Sequence, residues 1–305
     1  MAKLSHTLFT ALSVSLLALA LASPVASAAD MNVDVLDTTP ISHQSGAVDG
    51  INFKTSVVSG VIGGYANHMF IASVATPMPF FNSFGAQLDM GIGSYRSDYM
   101  SAAAGLHLFW RDPSVGMLGI YGDWGYVNPE HAGRMGFEGA IYNGNWSLDG
   151  FAGVTFGQHV LTQFVDEVDL SYYFTDNFKG SIGHRLTTRG NVGNISFEYM
   201  PDLGSANGWS VYGEAEAGED SYSGAWLGIR YSFGASSASS LKERDRMADP
   251  IVRIPRNLAS VTRCGDIQNP ANYHNSWNGF EFHKTRNLCG SANDLAEYGA
   301  IEGKL

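Results

Sequence analysis

The stretch from Ala132 to Gly157 constrains the fold more than any other part of the chain, because two runs of strict alternation meet there at Asn143-Gly144. In the first run Met135, Phe137, Gly139 and Ile141 share one face, and Arg134, Gly136, Glu138 and Ala140 the other. In the second, Trp146, Leu148, Gly150, Ala152, Val154 and Phe156 lie opposite Ser147, Asp149, Phe151, Gly153 and Thr155. A period of two places alternate side chains on opposite faces of a strand. Asn-Gly is a favoured two-residue hairpin loop, since its central positions need positive φ. With that loop Tyr142 lies opposite Asn145, and the apolar face must pass from odd to even numbers across the turn, as it does. The same register sets Glu138 directly opposite Asp149.

The alternation recurs along the chain. Candidate strands run over 51–62, 69–79, 84–95, 99–110 and 115–127, then through the hairpin, and on over 164–174, 178–189, the stretch around 193–199, 208–218 and 223–233. Twelve is the expected strand number, within a range of ten to twelve. Most candidates are close to the roughly 9–11 residues that a tilted strand needs to cross the hydrocarbon of a bilayer. A closed barrel leaves no backbone group without a partner, which is why lipid admits it. If alternate strand ends return to one rim, that rim collects outward Trp110, Trp146, Phe174, Phe178, Trp209, Tyr231 and Phe233, while Trp124, Tyr126 and Phe156 fall at the other. Aromatic rings at both ends of the strands are what two membrane interfaces select. The expectation is an all-β fold, an antiparallel transmembrane barrel over 51–234, with short turns on both sides.

Targeting agrees with this. Residues 1–28 read as a secretory signal peptide: Lys3, an apolar run through Leu21, and Ala26-Ser27-Ala28 before the cut. No later stretch has the ~20 consecutive apolar residues of a spanning helix. Residues 29–50 are polar and aperiodic, a disordered lead or a small plug in the lumen. From 235 the pattern stops. A charged stretch over 241–248 precedes Pro250, and the segment beyond it holds the chain's two cysteines, Cys264 and Cys289. In an oxidising compartment these form one disulfide by default; a zinc site with His274 and His283 is the sharper alternative, without supporting ligand spacing. An even strand number returns the tail to the side of the amino end. The expectation is a bridged periplasmic tail over 235–305, docked on the rim, contacting peptidoglycan or a periplasmic protein, or partly flexible.

The last strand carries a resemblance. Gly228-Ile229-Arg230-Tyr231-Ser232-Phe233 resembles the closing signal by which Gram-negative assembly machinery recognises outer-membrane β-barrel proteins: Gly228, then aromatic Tyr231 and Phe233 three and five places on. Trp226 stands where the usual residue is polar. With the signal peptide, the resemblance covers roughly residues 1–234. It implies residence in the outer membrane, with lipid and the assembly machinery as partners.

Charge points to a use for the interior. Residues 1–235 carry 21 acidic and nine basic residues, and residues 236–305 eight and nine. An acidic barrel argues against nucleic acid as a partner. Facing inward are Asp89, Asp123, Glu138, Asp149, Glu167, Asp169, Glu198, Glu214 and Glu216, with Arg134, Lys179, Arg185 and Arg230 among them. Glu138 against Asp149 repels unless a proton, a cation or Arg134 intervenes. Arg185 falls opposite Ser196 and diagonal to Glu198 if Gly190-Asn191 is the loop. The functional expectation is a narrow, cation-preferring pore for small solutes, lined by Glu138, Asp149, Arg134, Arg185, Glu198, Glu214, Glu216 and Arg230. The alternative is a non-conducting scaffold or anchor whose tail engages a periplasmic partner. A solvated lumen network without a further role accounts for the same residues. No cofactor or enzymatic site is expected. Outward His184 would suit a lipase only with a serine beside it, and its expected neighbours Leu170, Tyr172, Ile195 and Phe197 supply none.

Overall fold

In the computed structural model, residues 46–256 are described, apart from 64, 96–98, 128–129, 158–159, 189, 205–207, 220–221 and 235–239. The twelve strands are β1 (Asn52–Ile62), β2 (Tyr65–Met78), β3 (Phe81–Tyr95), β4 (Tyr99–Asp112), β5 (Gly116–Val127), β6 (Glu130–Asn143), β7 (Trp146–Gly157), β8 (Val160–Thr175), β9 (Phe178–Thr187), β10 (Gly190–Tyr199), β11 (Trp209–Gly218) and β12 (Ser223–Gly234). Each pairs antiparallel with its sequence neighbours, and β1 pairs with β12, so the sheet closes on itself. Every expected strand is present. Among the described residues the α-helix α1 (Leu241–Met247) follows, held at its start by a capping box between Ser240 and Glu243. Among the described residues no helix is long and apolar enough to cross a membrane.

The alternation decides which face each residue takes. Outward residues are large, apolar and exposed: Phe137 at 69%, Met135 at 61% and Ile195 at 61%. Inward residues on the same strands, among them Arg134, Glu138 and Asn194, are buried. This inverts the water-soluble pattern and suits a wall bathed in lipid. Where β1 begins and β12 ends, aromatic rings gather at the strand ends. Phe53 stacks on Phe233 at 5.2 Å, Phe233 on Tyr231 at 5.4 Å, and Tyr231 meets Trp209 at 4.7 Å. Around the same rim Trp146, Tyr172, Phe174 and Phe178 follow one another at 4.6, 5.1 and 5.4 Å. At the opposite rim Trp124 meets His131 and Phe156. Two aromatic girdles bound an apolar band, as an interface on each side requires.

Two registers differ from the sequence expectation. Asn143 pairs with Trp146, so Gly144-Asn145 is the loop, not Asn143-Gly144. Only Gly144 of the two has positive φ, at 54°. That is the demand of a turn with glycine at its first central position. The slip of one residue in the loop moves every partner by two, which preserves the faces and changes the pairs. Likewise β9 ends at Thr187 and β10 begins at Gly190, so Gly190, with φ of 88°, follows the loop instead of opening it.

The chain also enters its own barrel. Residues 46–50 pack inside the mouth at the rim where β1 begins. There Ala47 N donates to Asn82 O at 2.7 Å, and Ala47 and Val48 are buried with Ala75, Phe109 and Met117. On the other side of that mouth α1 lies over the β6–β7 and β8–β9 turns. Lys242 N donates to Asp176 O at 3.0 Å, Leu241 N to Asn177 Oδ1 at 3.1 Å, and Arg246 Nη2 to Gly144 O at 2.8 Å. From α1 the chain turns inward. Over 241–247 the tail thus rests on the rim, and over 250–256 it runs inside the barrel and not beyond it. Residues 1–45 and 257–305, with the expected signal peptide, most of the expected lead, Cys264, Cys289, His274 and His283, lie outside the described residues.

Candidate functional site in the barrel lumen

The lumen is lined by two kinds of wall. On β1 to β5 the inward residues include Val58, Met69, Ile71, Tyr95, Ala103 and Val127, which form one buried apolar cluster with Ala132. From β6 to β12 the inward positions carry most of the lumen's charged side chains, set among serines, glycines and aromatic rings. On the first side Lys54, Arg111 and Asp123 also face inward, and a polar group gathers around His107. Its Nδ1 lies 2.8 Å from Glu138 and its Nε2 3.1 Å from Asp89, so both ring nitrogens face carboxylates. Gln87 donates to the same Asp89 at 2.8 Å, and the Tyr121 ring lies 4.3 Å from the imidazole.

The expected pairs form with different partners. Glu138 sits opposite Phe151, and Asp149 opposite Ala140. Asp149 does face a carboxylate, but it is Asp169 across β8. Arg134 does not separate Glu138 from Asp149. It binds Asp123 with Nη2 at 2.6 Å and Glu167 with Nη1 at 2.5 Å. Arg185 lies opposite Val192 on β10 and Glu167 on β8, not opposite Ser196. It binds Glu214 and Glu216, the latter at 2.6 Å, with Tyr222 donating to Glu216 as well. Glu198 is held by Arg230 at 2.6 Å and by the Ser210 hydroxyl at 2.7 Å. The Arg230 guanidinium rides over the Tyr212 ring at 4.2 Å, and Gly228 makes room for it: a Cβ there would come within 2.5 Å of that ring. Tyr231 and Phe233, the other residues of the closing motif, stand in the aromatic girdle.

The wall acids are completed by two arginines from beyond the barrel. After α1, Asp249 pairs with Lys54, and the chain runs past Pro250 to the middle of the lumen, where residues 254–256 take up a helical turn. Arg253 reaches Glu167 at 2.8 Å and Glu138 at 3.6 Å. Arg256 reaches Asp169 at 2.6 Å and both Glu167 and Glu214 at 3.0 Å. Glu167 therefore meets Arg134, Arg253 and Arg256 together. Charges buried to this extent are stable only when paired and hydrogen-bonded. Between this strap and the wall of β8 to β12 a cavity of about 110 Å³ remains. Ser56, Ser171, Ser181, Asp169, Glu198 and Glu214 border it, with Lys179 and Arg230. It has room for several waters.

His184 stands on the outer face as expected, but its register partners are Val168 and Gly193. Its Nε2 lies 3.1 Å from Asn191 Oδ1, and Asp166 Oδ1 is 3.8 Å from Nδ1. No hydroxyl nucleophile joins them among its described partners. Nor do the described residues hold a group of three or more His, Cys, Asp or Glu arranged to bind a metal.

The architecture is a closed antiparallel barrel of twelve strands with an apolar outer face. Solved structures with a similar fold include the KdgM porin in complex with disordered oligogalacturonate, 14% identical, with 59% of this chain and 99% of that one covered and a TM-score of 0.47. An outer-membrane channel from Pseudomonas putida F1 is 8% identical over 65% of this chain and all of that one, with a TM-score of 0.46. Outer membrane phospholipase A from Escherichia coli is 12% identical over 60% and 92%, at 0.40. No family model matches the sequence, and no curated protein does.

Proposed function

We propose that this barrel is a narrow, cation-preferring pore for small solutes, not an enzyme. The observation that carries the reading is the cavity beside the strap, where Asp169, Glu198, Glu214 and Asp245 stand among serine hydroxyls and face Lys54, Lys179, Arg230 and Arg256. Carboxylate oxygens left over from these ion pairs can attract a cation, and hydroxyls replace part of its hydration. Lys54, Lys179, Arg230 and Arg256 narrow the path and offset the field of the four acids, so the preference is a modest one. Membrane lipid surrounds the barrel, and Gly228, Tyr231 and Phe233 serve as its assembly signal. Planar-bilayer recording of the detergent-extracted full chain tests the pore. The expected result is a small conductance whose reversal potential in a salt gradient favours cations, with that preference reduced in Glu198→Gln. A silent barrel, or one that favours anions, overturns the reading.

One observation favours a second reading, that of a closed scaffold: residues 250–256 fill the lumen at mid-height. On that reading the barrel is silent, and the chain beyond 256 engages a periplasmic partner such as peptidoglycan or a protein. Pull-down on purified peptidoglycan sacculi with the full chain, and with a chain truncated after residue 256, tests it; equal retention of the two excludes peptidoglycan as the partner.

A further inference from the structure

The strap is held as a ligand is held. Each of the twelve strands already has two hydrogen-bonded neighbours, so the sheet is complete without it. Among the described residues, 249–256 exchange no backbone–backbone hydrogen bond with the wall. Wall side chains read its main chain instead. Pro250 O accepts from Lys54 Nζ at 3.3 Å and from Gln87 Nε2 at 3.4 Å, and Arg253 O accepts from Arg134 Nη2 at 3.1 Å.

Its side chains meet fitted receptors. Ile254, fully buried, belongs to the same apolar cluster as Met69, Ile71 and Ala103 of the wall. Gly91 and Gly105 hollow that wall: a Cβ on Gly105 would lie 2.9 Å from Ile254 Cγ2, and one on Gly91 3.1 Å from its Cδ1. Arg253 and Arg256 face the opposite, acidic wall. Arg256 N donates to Arg253 O at 3.1 Å, so the two guanidiniums stand one turn apart and both reach Glu167. Arg253 also donates to Gly150 O at 3.4 Å. Backbone recognition, an aliphatic socket and two charge-paired anchors together make a peptide site.

We infer that the lumen is a peptide-binding site, filled here in cis by residues 250–256, and that it accepts from another polypeptide a segment presenting two arginines one turn apart around an aliphatic residue. A tethered ligand competes at an effective concentration in the millimolar range. A free segment therefore enters readily only when the cis copy is weakened. The inference is independent of conductance: a barrel that conducts without binding such a segment sinks this inference alone, and one that binds without conducting sinks the pore alone.

The test uses the full-length R253Q/R256Q chain in detergent and a fluorescent octapeptide with the sequence of residues 249–256, followed by anisotropy. The octapeptide should bind saturably. Replacing both its arginines by glutamine should weaken binding about a hundredfold, roughly tenfold for each charge-assisted contact. Adding E167Q to the protein should weaken it at least tenfold, and the unaltered chain should take up the octapeptide only near millimolar concentration. Equal binding of the two peptides overturns the inference. So does failure of R253Q/R256Q to migrate as a folded barrel in an unboiled gel, since the strap would then be part of the fold and not its ligand.

Discussion

The walls of β1–β5 and of β6–β12 enclose one lumen yet need opposite things. The first presents Val58, Met69, Ile71 and Ala103, and gains by excluding water. The second presents Glu138, Glu167, Asp169, Arg185, Glu198 and Glu214, and needs either water or counter-charges. Neither wall can cover the other: apolar groups would strip the carboxylates of solvent without pairing them. The strap resolves the conflict because it is two-faced. Val252 and Ile254 pack on the apolar wall, and Arg253 and Arg256 answer the acidic one. The difference between the walls thus explains why a barrel that closes without help still takes seven residues of its own chain inside.

Breaking the acidic side should have the largest effect. Glu167→Leu leaves Arg134, Arg253 and Arg256 facing an apolar group, and removing one partner of a buried charge network costs about 3–5 kcal/mol. Urea titration followed by unboiled gel mobility should show the folded band lost at lower urea. On the apolar side, Ile254→Ala empties the socket against Gly91 and Gly105. The expected loss is about 2–4 kcal/mol of strap docking, less where the walls relax. It should be read as faster protease cleavage within 250–256, with barrel mobility unchanged. Filling the same socket from the wall, with Gly105→Val, should cost about 1–3 kcal/mol by overpacking and expose the same segment. If the two changes differ in kind, with only one exposing the strap, Ile254 is not the anchor described.

The smallest effect concerns the mouth. Burial alone would push the Asp245 carboxyl up, but Lys179 at 2.5 Å and the Tyr173 hydroxyl at 2.7 Å outweigh it and hold it below the ordinary aspartate range. A carboxyl held low stabilises the docked state above its unfolded pKa, and that stability is lost as pH falls through the folded value. Protection of 241–247 from protease should therefore decline on acidification below the ordinary aspartate range, and Asp245→Asn should flatten that decline. A profile that is the same in both proteins would remove Asp245 from the account of α1 docking.

The two faces of the wall were legible from sequence to different depths. All twelve strands and their facing follow from a period of two, which tolerates errors in the turns. The girdle residues Trp146, Phe174, Trp209 and Phe233 follow from the same count. Pairing does not tolerate such errors. Taking Asn143-Gly144 for Gly144-Asn145 kept Glu138 and Asp149 on the inner face and still named the wrong partners. The later loop displaced Arg185 from Glu198 to Glu214 and Glu216 in the same way. A short loop offers two or three nearly equivalent settings, and only contact with the rest of the wall chooses among them. The strap was harder still. Residues 251–256 have no period, and their role depends on acids far away in sequence. A trace existed in the charge balance, acidic before residue 236 and slightly basic after it. Read as two separate properties, it hid that the second half of the imbalance answers the first.

The central claim is that Arg253 and Arg256 pair the acids of the lumen wall and narrow the lumen. Planar-bilayer recording of the full chain and of R253Q/R256Q, side by side in one potassium chloride gradient, tests it most directly. The account predicts a higher single-channel conductance and a reversal potential shifted further toward cations in the variant. The same conductance and the same reversal potential in both proteins would contradict it.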